Sequence, residues 1–152
     1  MANDAQIEPF PLDEHLCFSI YGAHLALQRT YKPVLDQLGL TYPQYLALSL
    51  LWEKDAQTVG SMASELDLEP STMTPLLKRL ESADFVQRTR DPKNERQVII
   101  SLTRKGKAAR SNASCLKEAL LNGSGLSLKQ IKELNGIVQT LRDSLKENLS
   151  DR

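Results

Sequence analysis

The sequence predicts a mainly α chain with one β-hairpin set into it, in the order α-α-α-α-β-β-α-α. Three observations carry this. Apolar residues recur at three- and four-residue spacing along most of the 152 positions. Around residues 85–102 the pattern changes to β-branched runs on either side of a turn cluster. Hydroxyl residues and glycines punctuate the helical stretches where caps and stops belong. A chain of this length forms one domain and can bury a core, built here from abundant leucine and few aromatics.

In chain order, Asp13 is a plausible N-cap for a first helix over about 13–38, whose Cys17, Ile20, His24, Leu27, Tyr31 and Leu35 share a face. Pro33 should kink or loosen it, and Gly39 is a stop signal. "TYPQYLALSLLWEKD" starts at Thr41 with Pro43 in its first turn and is apolar enough for a buried helix. Thr58 caps the short "VGSMASEL", with Met62, Ala63 and Leu66 inward. After "DLEP", the stretch "STMTPLLKRLESADF" turns Met73, Leu76, Leu77 and Leu80 to the core. "FVQRTR" and "QVIISL" are strands joined by "DPKNER". Helices over roughly 103–121 and 127–149 follow, separated by "NGSG".

Charge is unevenly spread. The formal net charge is zero, yet between Lys78 and Arg110 there are ten Lys or Arg against four acids, while residues 1–70 hold ten acids and three bases. One basic segment in an otherwise acidic chain directs attention to nucleic acid. Cys17 and Cys115 lie far apart with no C-x-x-C spacing, so neither a disulfide framework nor a zinc site is indicated, and no cofactor is expected. No apolar run reaches the roughly 20 residues of a membrane span, and "MANDAQIEPFPLDEH" is acidic where a secretion signal is basic. A cytoplasmic protein without membrane contact is expected.

Two short helices around a tight break, the second opening on small hydroxyl residues and followed by a basic hairpin, have the layout of a winged helix-turn-helix. Ser71, Thr72 and Thr74 suit the start of a helix that enters the major groove of double-stranded DNA. Lys78 and Arg79 suit phosphates further along. In the hairpin, Arg88, Arg90, Lys93, Asn94 and Arg96 complete a basic wing, whose tip fits the minor groove.

On these residues the chain resembles a known family. "TVGSMASELDLEPSTMTPLLKRLESADFVQRTRDPKNERQVIISLTRKGKA", closing on Leu102, Thr103 and Gly106 as L-T-x-x-G, is similar to the DNA-binding lobe of MarR-type regulators. The resemblance implies a homodimer on a pseudo-palindromic operator. It assigns 13–40 and 103–150 to dimerisation helices and 41–102 to the winged helix-turn-helix lobe. The family usually has Asp-x-Arg at the wing tip; here Asn94 and Arg96 hold those positions, and Asn94 supplies an acceptor without charge. Pro75 removes a backbone donor, which a place near the helix start would tolerate.

The stretch "LCFSIYGAHLALQRTYKPVLDQLGLTYPQYL" is similar to the organic hydroperoxide-sensing (OhrR-like) branch, in which an N-terminal cysteine is oxidised and DNA is released. The resemblance makes Cys17 the sensing thiol, with Tyr31 and Tyr42 as phenols bonding it. It also makes Cys115 a candidate resolving thiol. Residue type alone reads either cysteine as a small core filler. Cys17 and Tyr31 are fourteen residues apart, about 21 Å along one helix, so they meet only across a dimer interface or through a sharp fold near Pro33. Two other functions remain open at this level. One is a regulator answering to a small phenolic or drug-like ligand. The other, a thiol peroxidase, is disfavoured because neither cysteine stands in a Pro-x-x-x-Thr-x-x-Cys pattern; the expectation is a regulator and not an enzyme.

Overall fold

A computed structural model describes residues 10–151 of the protein; the acidic stretch at 1–9 lies outside them. Local capping chemistry sets most of the helix boundaries. Thr41 and Gln44 form a reciprocal capping box at the start of α2 (Tyr42–Glu53), with Pro43 in the first turn. Thr58 accepts from the Ser61 amide and opens α3 (Val59–Glu65). Thr103 does the same for Gly106 at α5 (Arg104–Ser124). A second capping box, Ser127 with Gln130, starts α6 (Leu128–Ser150).

The first helix begins later than its sequence suggests. Leu12–Glu14 form a 3-10 turn, His15 is extended, and α1 runs Leu16–Leu38, so Asp13 belongs to the turn and caps nothing. Pro33 lies within α1 without ending it, and Gly39 stops the helix at φ 70. Glycine takes that left-handed conformation without the Cβ penalty.

α4 (Pro70–Ser82) has Pro70 in its first turn, which puts Pro75 inside the helix and not near its start. The Ser71 carbonyl therefore lacks its usual helical donor, at an exposed position that water can serve. Met73, Leu76, Leu77 and Leu80 are buried as the spacing predicts, whereas Leu66 of the preceding segment is half-buried.

The hairpin is β2 (Val86–Asp91) and β3 (Asn94–Leu102), and its loop is only Pro92 and Lys93 because pairing continues to Asp91 opposite Asn94. A third strand, β1 (Gln57–Thr58), pairs antiparallel with β3 at Ile100 and Ile99. Two residues carry no period, so the sequence offers no sign of it. The sheet order is β1-β3-β2. α5 runs past the predicted stop to Ser124, since only Gly125, at φ 67, must leave the helical region.

Leu48, Leu51, Met62, Met73, Leu77, Leu80 and Ile100 form the centre of the core, joining α2, α3, α4 and β3. Burying each such side chain contributes about 2 kcal/mol. α6 contributes no buried residue. No described helix is long and apolar enough to cross a membrane.

Candidate functional site

The outward face of α4 is polar because its inward face is committed to the core. Ser71, Thr72, Lys78 and Arg79 are exposed there, while Thr74 is half-buried. On the hairpin, Arg90, Lys93, Asn94 and Arg96 are exposed around the turn. The Lys93 amide donates to Asp91 Oδ1 at 2.9 Å, and the Arg96 amide donates to Asn94 Oδ1 at 3.2 Å. Asn94 thus shapes the backbone of the tip. Among the described residues no ion pair holds Arg90, Lys93 or Arg96, which leaves their charge directed at solvent.

Arg88 takes a different place. Its side chain is half-buried in a recess of ≈ 440 Å³ between hairpin and α4, shared with Thr58, Gly60, Thr74 and Arg96. Its amide donates to Glu81 at 3.1 Å, and its buried Nε has no partner.

The wing is fixed to α5 by the L-T-x-x-G segment. Thr103 N–H donates to the Phe85 carbonyl at 3.1 Å, and Thr103 Oγ1 donates to the Asp84 carbonyl at 2.5 Å. Lys105 donates to the Ala83 carbonyl at 2.7 Å and lies 4.5 Å from the centre of the Phe85 ring. Gly106 is required by contact, because a Cβ there would overlap the Phe85 carbonyl oxygen. From the other side, Asp55 Oδ1 accepts from the Leu102 amide at 2.9 Å. Asp55 and its role are invisible in the sequence, since only folding brings residue 55 beside residue 102.

Tyr31 of α1 and Tyr42 of α2 stack with ring centroids 5.9 Å apart and line a small cavity with His24, Leu27 and Gln28. Burial, followed by the neighbouring phenols Tyr42 and Tyr45, pushes the Tyr31 pKa above 10.0; burial and then Tyr45 do the same for Tyr42. Both groups are therefore neutral donors at physiological pH. Cys17 stands in the first turn of the same α1 and is exposed, as is Cys115 on α5. Neither is a core filler within this chain. An unbroken helix from Leu16 to Leu38 separates Cys17 from Tyr31 by about 21 Å, so no fold at Pro33 brings them together.

The apolar stripe of α1 continues onto α6. Leu16, Ile20, Leu27, Leu134, Ile137 and Leu141 line a groove of ≈ 570 Å³ between the two helices. Beyond it Leu145 and Leu149 remain open, with Ile137 68% and Leu149 69% exposed. Surface of this extent is an interaction face.

Helix-turn-helix, basic wing, clamped α5 and an unpartnered apolar face together define a winged-helix regulator. Comparison with known proteins agrees. Residues 29–112 match the family described as transcriptional regulator SarA/Rot. The chain is 40% identical over 145 residues to the HTH-type transcriptional regulator TtmR of Methylorubrum extorquens (strain PA1), covering 95% of this chain and 74% of that one. It is 40% identical over 134 residues to the organic hydroperoxide resistance transcriptional regulator of Bacillus subtilis (strain 168), covering 88% and 91%. Among solved structures, reduced AbfR bound to DNA is 36% identical with a TM-score of 0.77, covering 91% of this chain and 94% of that one. The disulfide-formed AbfR, at the same identity and covering 91% and 92%, gives 0.63; AbfR is a protein of Staphylococcus epidermidis. The chain belongs to the MarR-type winged-helix transcriptional regulators.

Proposed function

We propose that the protein is a homodimeric repressor that binds a pseudo-palindromic operator and releases it when an organic hydroperoxide oxidises Cys17. The observation that carries this reading is the paired, protonated Tyr31 and Tyr42 beside a cavity, with an exposed thiol on the same helix too distant to reach them. A second copy completes the site by bringing its own Cys17 to these phenols. The apolar faces of α1 and α6 supply the reason for such a copy to bind. In this reading 13–40 and 103–150 are the dimerisation helices and 41–102 is the DNA-binding lobe.

DNA contact falls to three groups of residues. Ser71, Thr72 and Thr74 meet bases in the major groove, Lys78, Arg79 and Arg88 serve phosphates, and Arg90, Lys93, Asn94 and Arg96 bring the wing to the minor groove. Twofold symmetry places two such lobes about one helical turn apart on DNA. The likeness to AbfR in its reduced, DNA-bound form, at 36% identity, supports DNA binding by this lobe.

At the thiol, the reacting form is the thiolate, the nucleophilic state of a cysteine, and the two phenols of the other copy are the hydrogen-bond donors it meets. The sulfur attacks the distal peroxide oxygen: an S–O bond forms, the O–O bond breaks, and the departing alkoxide takes a proton from water to leave as the alcohol. The thiol is oxidised to a sulfenic acid, and the hydroperoxide is reduced. A second thiol, Cys115 of the other copy or a small cellular thiol, then condenses with it to a disulfide and releases water. Loss of the phenol contacts changes how the two lobes stand to each other.

The test is a gel shift on the DNA upstream of the gene, with reduced protein and after cumene hydroperoxide, paired with intact mass. Release with a mass change confined to Cys17 is expected. Hydroperoxide-driven release from Cys17→Ser would reject the reading.

A further inference from the structure

Four aromatic side chains run in contact from the phenol cavity to the base of the wing. Tyr31 stacks on Tyr42 at 5.9 Å, Tyr42 meets Tyr45 at 6.0 Å, and Tyr45 meets Trp52 edge-on at 6.0 Å. Trp52 Nε1 then donates to the Gly106 carbonyl at 2.9 Å, bridging α2 and the first turn of α5. Gly106 is the residue with no room for a Cβ against Phe85, at the entry to β2. The rings span both ends of α2, and all four are half-buried.

We propose that Trp52 is a positioning residue that relays rearrangement of the Tyr31–Tyr42 pair to the junction of α5 with the wing. The inference rests on Cys17 being the sensing thiol. Three features argue for a relay and against mere filling. Aromatic pairs at these separations are in van der Waals contact, so a displaced phenol forces its neighbour to move or lose contact. Close-packed surroundings respond by switching between discrete arrangements more readily than by deforming smoothly. The last link is a directional hydrogen bond across two elements, made to the very turn that Thr103, Lys105 and Gly106 clamp to Ala83–Phe85. An indole N–H turned inward needs an acceptor in any case, and here that acceptor lies 54 residues away on another element, so the bond ties Trp52 to that turn.

Trp52 is the only tryptophan in the sequence, so its fluorescence reports on the relay directly. The experiment measures DNA affinity of the full-length dimer by anisotropy, reduced and after cumene hydroperoxide, with intact mass confirming oxidation. Trp52→Phe keeps the ring and removes the N–H. Its ratio of reduced to oxidised affinity is expected to fall about five-fold or more toward unity. A purely structural role would weaken both states alike and leave the ratio as in the native protein, which would overturn the proposal. Should Trp52→Phe fail to fold, Tyr45→Leu breaks the ladder one step earlier and is expected to show the same loss of ratio. In the native protein, oxidation at Cys17 is expected to shift Trp52 emission; an unchanged spectrum alongside DNA release overturns the relay alone. Absence of any mass change at Cys17 in native protein that still releases DNA overturns the sensing reading instead.

Discussion

Tyr31 and Tyr42 stack across the α1–α2 junction with ring planes 23° apart, and burial keeps both phenols protonated above the ordinary tyrosine range. Because their folded pKa values lie above 10.0, the folded chain holds protons that the unfolded chain releases once pH passes 10. The sign follows: these groups leave stability unchanged at neutral pH and reduce it as pH rises through 10. Urea denaturation between pH 7 and 11 should show this decline, smaller in the Tyr31→Phe/Tyr42→Phe double variant. An equal decline in both proteins would remove the phenols as its cause.

At the base of the wing, Gly106→Ala sets a methyl group against the Phe85 carbonyl. Overpacking against backbone should destabilise the fold by about 3 kcal/mol. Thermal unfolding checks this, and a melting temperature equal to the native one would show that the α5–β2 contact yields freely.

The open face of α6 predicts an obligate partner. Ile137→Glu places a charge in the middle of that face and should shift the protein from dimer to monomer, or to aggregate, in sedimentation velocity. A dimer of unchanged strength would move the interface elsewhere.

The wing cations, which no ion pair holds among the described residues, should bind DNA mainly through phosphates and minor-groove potential. Arg90→Ala and Lys93→Ala should each lower the dependence of log affinity on log salt by about 1 per copy. The loss should be nearly equal on operator and unrelated DNA. A salt dependence identical to the native protein would place the wing away from the duplex.

Much of this molecule is legible in its sequence, and the legible part is local. Thr41, Thr58 and Ser127 announce helix starts because a cap bonds an amide three residues on, and Gly39 announces a stop because its φ is its own. The hairpin shows as a change of period, and the L-T-x-x-G segment points to the MarR-type class. Where local signals compete, the sequence misleads: Asp13 looks like a cap but lies in a 3-10 turn, and Pro75 looks early but lies inside α4.

Tertiary structure alone decides what depends on distant residues. It pairs two-residue β1 with β3, seats Asp55 on Leu102, turns Arg88 into a recess, and lines Tyr31, Tyr42, Tyr45 and Trp52 into a ladder ending at Gly106. It also shows α1 to be continuous from Cys17 to Tyr31, so thiol and phenols of one chain stay apart. Caps and turns are written in neighbouring residues because their bonds span a few positions, whereas the ladder and the apolar face of α6 exist only once packing has chosen which surfaces meet and which are left open.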